Sequence, residues 1–184
     1  NAHIVFIDES GFSLLPVVRR TWAPKGETPV LRHVGRHRQK VSAIAGISVS
    51  PLRRRLRLYT RLLRDRTILG RHVAGFLAHL LRQVPGVLIV LLDRSGTHRC
   101  KEVHALARRF RHRLVLEHLP PYAPEINPQE YVWHHLKYHR LANHGAPAVA
   151  PLHRAVRRHA SLVQTEQNIL WSCIRRSGLP LRQL

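Results

Sequence analysis

The chain has 184 residues, of which 31 are Lys or Arg and 10 are Asp or Glu, for a formal charge of +21 at pH 7. Its 44% apolar content is that of a globular chain with a full core and excludes wholesale disorder, while a charge of this size calls for a polyanionic partner, most commonly nucleic acid. No apolar run reaches the roughly 18–20 residues that span a bilayer and no signal-peptide pattern opens the chain, so a membrane role is set aside and a cytoplasmic, nucleoid-associated protein of bacterial type is expected.

In chain order, HIVFIDESGF opens on a short apolar strand, Ile4 to Ile7, which the turn-forming Asp8, Glu9, Ser10 and Gly11 are expected to end. TWAPKGETP is a turn-rich connection. KVSAIAGISV (40–49) is β-branched and strand-like, and RLRLYTRLL (55–63) alternates basic with apolar residues. These three segments read as an antiparallel meander, the second pair joined near Ser50-Pro51. From Thr67 to Val84 the period changes. Ile68, Leu69, Val73, Phe76, Leu77, Leu80 and Leu81 recur at helical spacing until Pro85-Gly86 stops the run. VLIVLLD (87–93) is unbroken and apolar, as a central strand buried on both faces would be. Cys100 to Phe110 reads as a helix and LVLEHLP (114–120) as a short strand. Asn127-Pro128 opens a helix running to about Asn143, and 150–176 is helical in period.

The order βββαβαβα with a helical tail matches an α/β fold of ribonuclease-H-like type: three antiparallel strands, then alternating helices and strands in one mixed sheet. The expected organisation is a catalytic domain over 1–143 and a helical C-terminal extension over 144–184, packed on or beside it. Cys100 and Cys173 lack the spacing of a disulfide framework or a zinc cluster. Most of the fifteen histidines lie beside arginines and read as part of a solvated basic face. With no methionine and a start directly on an apolar run, something upstream is expected to be missing.

Three of the ten acids fall where such a fold gathers its ligands. Asp8 ends the first strand and Asp93 the central one. If those strands are neighbours, both side chains project from the edge at the carboxyl ends of the strands. Glu130 follows after a helix, a strand and a proline-stiffened loop, enough chain to return over that edge. Carboxylates that close repel, and one would hold its proton near neutral pH. A divalent cation removes the conflict. Mg²⁺ (or Mn²⁺), as two ions, suits oxygen ligands and in-line displacement at phosphorus. Each acid also has a simpler reading. DESG is good turn chemistry, Asp93 precedes the RSGT turn, and Asn127-Pro128-Gln129-Glu130 is a cap, a proline at N1 and the acid of a capping box. Glu9 should point to the face opposite Asp8 and is not counted as a ligand.

LPPYAPEINPQEYVWHHLK resembles the signature of mariner-type and related bacterial insertion-sequence transposases, in which a Pro-Pro-Tyr turn leads to Asn-Pro and a catalytic acid. LLDRSGTHR resembles the family's second-Asp motif, with His98 at its usual place, and IDESGF followed by RRTWAPKGETP resembles the first. The matches run from about residue 3 to 143. The resemblance implies a ribonuclease-H-like DDE catalytic domain in which Asp8, Asp93 and Glu130 bind Mg²⁺ or Mn²⁺. It further implies cleavage at transposon ends, attack of the freed 3′-hydroxyl on target DNA, and a dimer or larger assembly on paired ends. The family carries helix-turn-helix domains before this domain. None precedes Asn1, so little sequence preference is expected of the chain alone. Arg94 stands where many relatives have Asn.

Around these acids, His98 is a candidate to touch a scissile phosphate or position water. Arg94, Arg99, Lys137 and Arg140 are candidates for contact with the DNA backbone. His135 and His139 have the i, i+4 spacing of a helical zinc pair but no third ligand nearby in sequence. Trp22 and Trp133 are expected to anchor packing, and Asn127 to cap its helix. The alternatives are another metal-dependent nuclease on the same fold, or a basic nucleic-acid-binding protein without catalysis.

Overall fold

The computed structural model describes residues 2–31, 33 and 39–181. Its framework is a five-stranded sheet in the order β3-β2-β1-β4-β5, formed by β1 (Ala2–Ser13), β2 (Lys40–Val49), β3 (Leu56–Arg64), β4 (Val87–Leu92) and β5 (Leu114–His118). The first three strands pair antiparallel, and β4 and β5 run parallel to β1. Helices α1 (Gly70–Gln83) and α2 (Lys101–Arg109) cover one face. Helices α3 (Pro128–His135), α4 (Val149–Val163) and α5 (Gln167–Arg176) belong to the core on the other. No helix among the described residues is long and apolar enough to cross a membrane.

Strand alternation sorts the two cores. Phe6 and Phe12 of β1 pack with Trp133, Val156 and Leu170, while Val5 and Ile7 pack with Phe76, Leu80 and Val103. The strand of apolar residues at 87–92 is central, as its composition predicts. Leu88, Val90 and Leu92 are all buried without measurable exposure.

Four boundaries differ from the sequence reading, each for a physical reason. β1 does not end at Ile7. Asp8, Glu9, Ser10 and Gly11 face Ala45, Ile44, Ala43 and Ser42 across the ladder with β2, and that ladder overrides their turn chemistry. α1 begins at Gly70 rather than Thr67, where the His72 Nδ1 accepts the Leu69 N–H at 3.0 Å. α3 does not run to Asn143. It widens into a π turn, Leu136–Arg140, and Asn143 takes a left-handed φ of 59° that ends any helix. The helical tail is two helices, interrupted just before Gln167 where Glu166 turns its carboxylate to Arg140 at 2.6 Å.

Candidate active site

β1 and β4 are neighbours, and their register carries the site. Phe6 faces Leu91, and two residues further on the same register brings Asp8 level with Asp93, on the face where α3 packs. Glu130 lies in the first turn of α3. Asp8, Asp93 and Glu130 line one cleft of about 360 Å³, closed on its outer side by the loop Leu119–Pro124 and by Arg94 and Ser95. At the rim Tyr122 is fully exposed, with φ at 57°.

The simpler readings of these acids fare unequally. Asp8 is no turn residue, since it is paired in the middle of a ladder. Asp93 does take part in the turn after β4, accepting the Ser95 N–H at 2.9 Å. Glu130 does not complete a capping box. Asn127 Oδ1 accepts the Gln129 N–H at 3.1 Å, but the Asn127 N–H, which the acid of such a box would take, donates to Pro124 O at 3.0 Å. The Glu130 side chain stands exposed at the cleft.

Electrostatics set Asp8 apart. Burial pushes its carboxyl up, the Glu130 carboxylate pushes it further, and its pKa reaches about 7 although the Trp133 Nε1–H works against the rise. That N–H donates to Asp8 Oδ2 at 2.9 Å, so Trp133, buried in the core as expected, also holds the acid. Asp93 is shifted the other way. Partial burial would raise it, but the Ser95 N–H and the neighbouring His98 outweigh that and hold it low. Lys137 sits near both Glu130 and Asp8; burial pulls its ammonium pKa down while the two carboxylates oppose the fall.

The sequence reading set Glu9 aside as a ligand and gave it no other role. It does point to the rear face, as alternation requires, and there it meets His98. The imidazole is 1% exposed, with Nδ1 at 2.5 Å from Asp93 Oδ1 and Nε2 at 3.0 Å from Glu9 Oε2, an ion-pair contact. Burial alone would lower the His98 pKa, but the two carboxylates win and raise it. His98 is therefore buried beneath the cleft and not on the surface. The only sequence signal for Glu9 was its place beside Asp8.

The remaining candidates divide. Arg94 lines the cleft, and Arg94 and Arg99 are exposed. Arg140 is engaged elsewhere, donating from Nη2 to both Glu166 oxygens, at 2.9 and 2.6 Å, and from Nε to His135 at 3.1 Å. His135 and His139 stack with ring centres 5.4 Å apart. Trp22 is not a packing anchor. It is completely exposed on the connection after β1, where residues 21–30 are all exposed and form no helix or strand. Cys100 and Cys173 are free thiols.

Among the described residues, no three His, Cys, Asp or Glu side chains stand close enough together to hold one ion as they lie. The donor set nevertheless fits a hard divalent cation. It is made only of carboxylates, and burial together with the Glu130 carboxylate lifts Asp8 to about 7, a conflict that a cation would relieve.

A family model described as DDE superfamily endonuclease matches residues 3–152. Among solved structures, a Mos1 transposase paired-end complex with left transposon end is similar at a TM-score of 0.67 and 16% identity, covering 97% of this chain and 56% of that one. A Mos1 mariner paired-end complex with Mn gives 0.68 and 16%, with the same coverage. The catalytic domain of Mos1 mariner transposase gives 0.63 and 15%, covering 95% of this chain and 76% of that one. The chain thus spans just over half the length of the first two. At these identities the likeness is one of fold, and the fold is the ribonuclease-H-like mixed sheet. No curated protein sequence matches.

Proposed function

Because this chain belongs to the DDE superfamily endonucleases, we propose that it is the catalytic core of a transposase, cutting DNA at transposon ends and joining the freed 3′-hydroxyl to target DNA. The observation that carries the reading is that acids from β1, from the end of β4 and from α3 line one cleft in a chain of charge +21. In this reading Asp8, Asp93 and Glu130 hold Mg²⁺ or Mn²⁺, as two ions. Bound there, the metal supplies a Lewis acid for the scissile phosphate and the attacking oxygen.

The chain's own residues do the rest. The Trp133 N–H fixes the Asp8 carboxylate, the Pro-Pro-Tyr loop walls the cleft, and Arg94, Arg99 and Lys137 offer cations to backbone phosphates. Arg140, tied to Glu166, contributes to this only by bracing the helix. The similar structures include transposon-end complexes, which supports DNA as the partner; in this reading the chain works as a dimer or larger assembly on paired ends, in a cytoplasmic, nucleoid-associated setting.

The test is a nicking assay on transposon-end DNA with Mg²⁺ or Mn²⁺. Asp93→Asn and Glu130→Gln should each lower cleavage by about 10³-fold, roughly 4 kcal/mol of barrier, with DNA affinity unchanged or slightly higher. Full cleavage by either variant would sink the metal site. A role in binding alone rests on the charge and predicts steeply salt-dependent binding with no nicking by the parent chain.

A further inference from the structure

Behind the cleft, five side chains form a closed circuit. Asp93 Oδ1 meets His98 Nδ1 at 2.5 Å, and His98 Nε2 meets Glu9 Oε2 at 3.0 Å. Thr97 Oγ1 donates to Glu9 Oε1 at 3.3 Å and lies 2.9 Å from Ser95 Oγ. The Ser95 N–H closes the ring on Asp93 Oδ1 at 2.9 Å. Two features make this more than a surface network. The imidazole at its centre is 1% exposed, while Asp93 is among the exposed residues. The circuit also starts from the residue next to Asp8 and ends on Asp93, so it ties β1 to the turn after β4, beyond the last paired residues Phe6 and Leu91. Asp93 lies outside the β4 ladder, and among the described residues no other hydrogen bond or ion pair holds its side chain. Its side-chain contacts in the circuit fall on Oδ1, leaving Oδ2 outside it, and His98 Nδ1 also lies 3.3 Å from the Asp93 main-chain oxygen.

From this geometry we infer that Glu9, acting through His98, is the positioning residue for Asp93. It anchors the imidazole from the rear face, so that Asp93 presents Oδ2 to the cleft at a fixed spacing from Asp8. The inference rests on the proposed metal role of Asp93. Buried partners that orient a ligating carboxylate typically change metal affinity by about 10–100-fold when removed.

The experiment is a titration of Mn²⁺ into the metal-free full chain, read by the electron paramagnetic resonance signal of the free ion, with thermal melts as the check on folding. Glu9→Ala should weaken Mn²⁺ binding by about 10–100-fold. Glu9→Gln, whose amide can still pair with either form of the imidazole, should restore affinity to within about threefold of the parent, roughly 0.65 kcal/mol at 1.36 kcal/mol per tenfold. In an Asp93→Asn background, Glu9→Ala should add nothing further. Should Glu9→Ala not fold, Glu9→Asp, which withdraws the carboxylate by one methylene, should weaken binding in the same direction. Unchanged affinity in Glu9→Ala, or Glu9→Gln as weak as Glu9→Ala, would overturn the positioning role. The second outcome would show that charge alone matters. A parent chain that takes up no Mn²⁺ would overturn the metal reading itself and this role with it.

Discussion

Asp8 and Glu9 are adjacent in the chain and meet opposite fates on the two sides of the sheet. On the front, Asp8 is buried and lies beside another acid, Glu130, and the two effects raise its pKa to about 7. Beside Glu130 in sequence, Gln129 is fully buried with neither side-chain amide atom bonded to a protein partner. On the rear, Glu9 meets an imidazole, and both ring nitrogens have carboxylates within 3.0 Å. On the rear a cationic imidazolium can sit between the two carboxylates, whereas on the front two acids face each other with the Lys137 ammonium nearby. The proposed site lies on the side of the strand on which like charges face one another.

Stability measurements sharpen that contrast. The largest expected effect is at Asp8. Its folded pKa lies above the ordinary 3.8, so its contribution to stability is fully present below about pH 3.8 and is lost as pH rises through about 7. In EDTA, Asp8→Asn should therefore gain on the parent as pH climbs from 4 to 8, by on the order of 3 to 4 kcal/mol at 1.36 kcal/mol per pH unit, measured by urea denaturation. A constant difference across that range would mean the front is not strained.

His98→Leu should destabilise the chain by about 2 kcal/mol, less than the 3–5 kcal/mol of a fully buried pair because Glu9 and Asp93 keep some water. The His98 pKa is raised, so its contribution is present in acid and fades as pH passes upward through the folded pKa. The deficit of the variant should accordingly be larger at pH 6 than at pH 9. Gln129→Met should stabilise by about 1 kcal/mol, since it removes orphaned polar atoms at nearly constant volume; a loss in the melt would show that the amide has a partner. Smallest, Thr97→Val should cost about 0.5–1 kcal/mol, a shift in the denaturation midpoint without a change of slope.

Much of this was readable in the residues. The apolar run at 87–92, the helical spacing at 67–84 and the Asn-Pro start of α3 each reflect a local rule that the fold obeys. What was hidden depended on partners distant in sequence. Gly11 reads as a turn until Ser42 is known to lie across from it. The helix after Asn127 gives no warning of stopping early, because Asn143 is spent on the connection after β1, exchanging hydrogen bonds with Arg19 at 2.8 and 2.9 Å. Trp22 looked like an anchor because tryptophan usually is one, yet composition says nothing of whether a core lies within reach. Glu9 was set aside for facing away from Asp8. The direction was right, but periodicity cannot reveal what waits on the far side.

The shared register of β1 and β4 has a consequence for how such a chain can change. Alternation puts Asp8 and Asp93 on the same side only while the number of residues between the last paired position and each acid keeps its parity. A single-residue insertion at the end of β4 would swing Asp93 behind the sheet and bring its neighbour forward. Loops can lengthen by any count, but these two stretches of chain accept additions only two at a time.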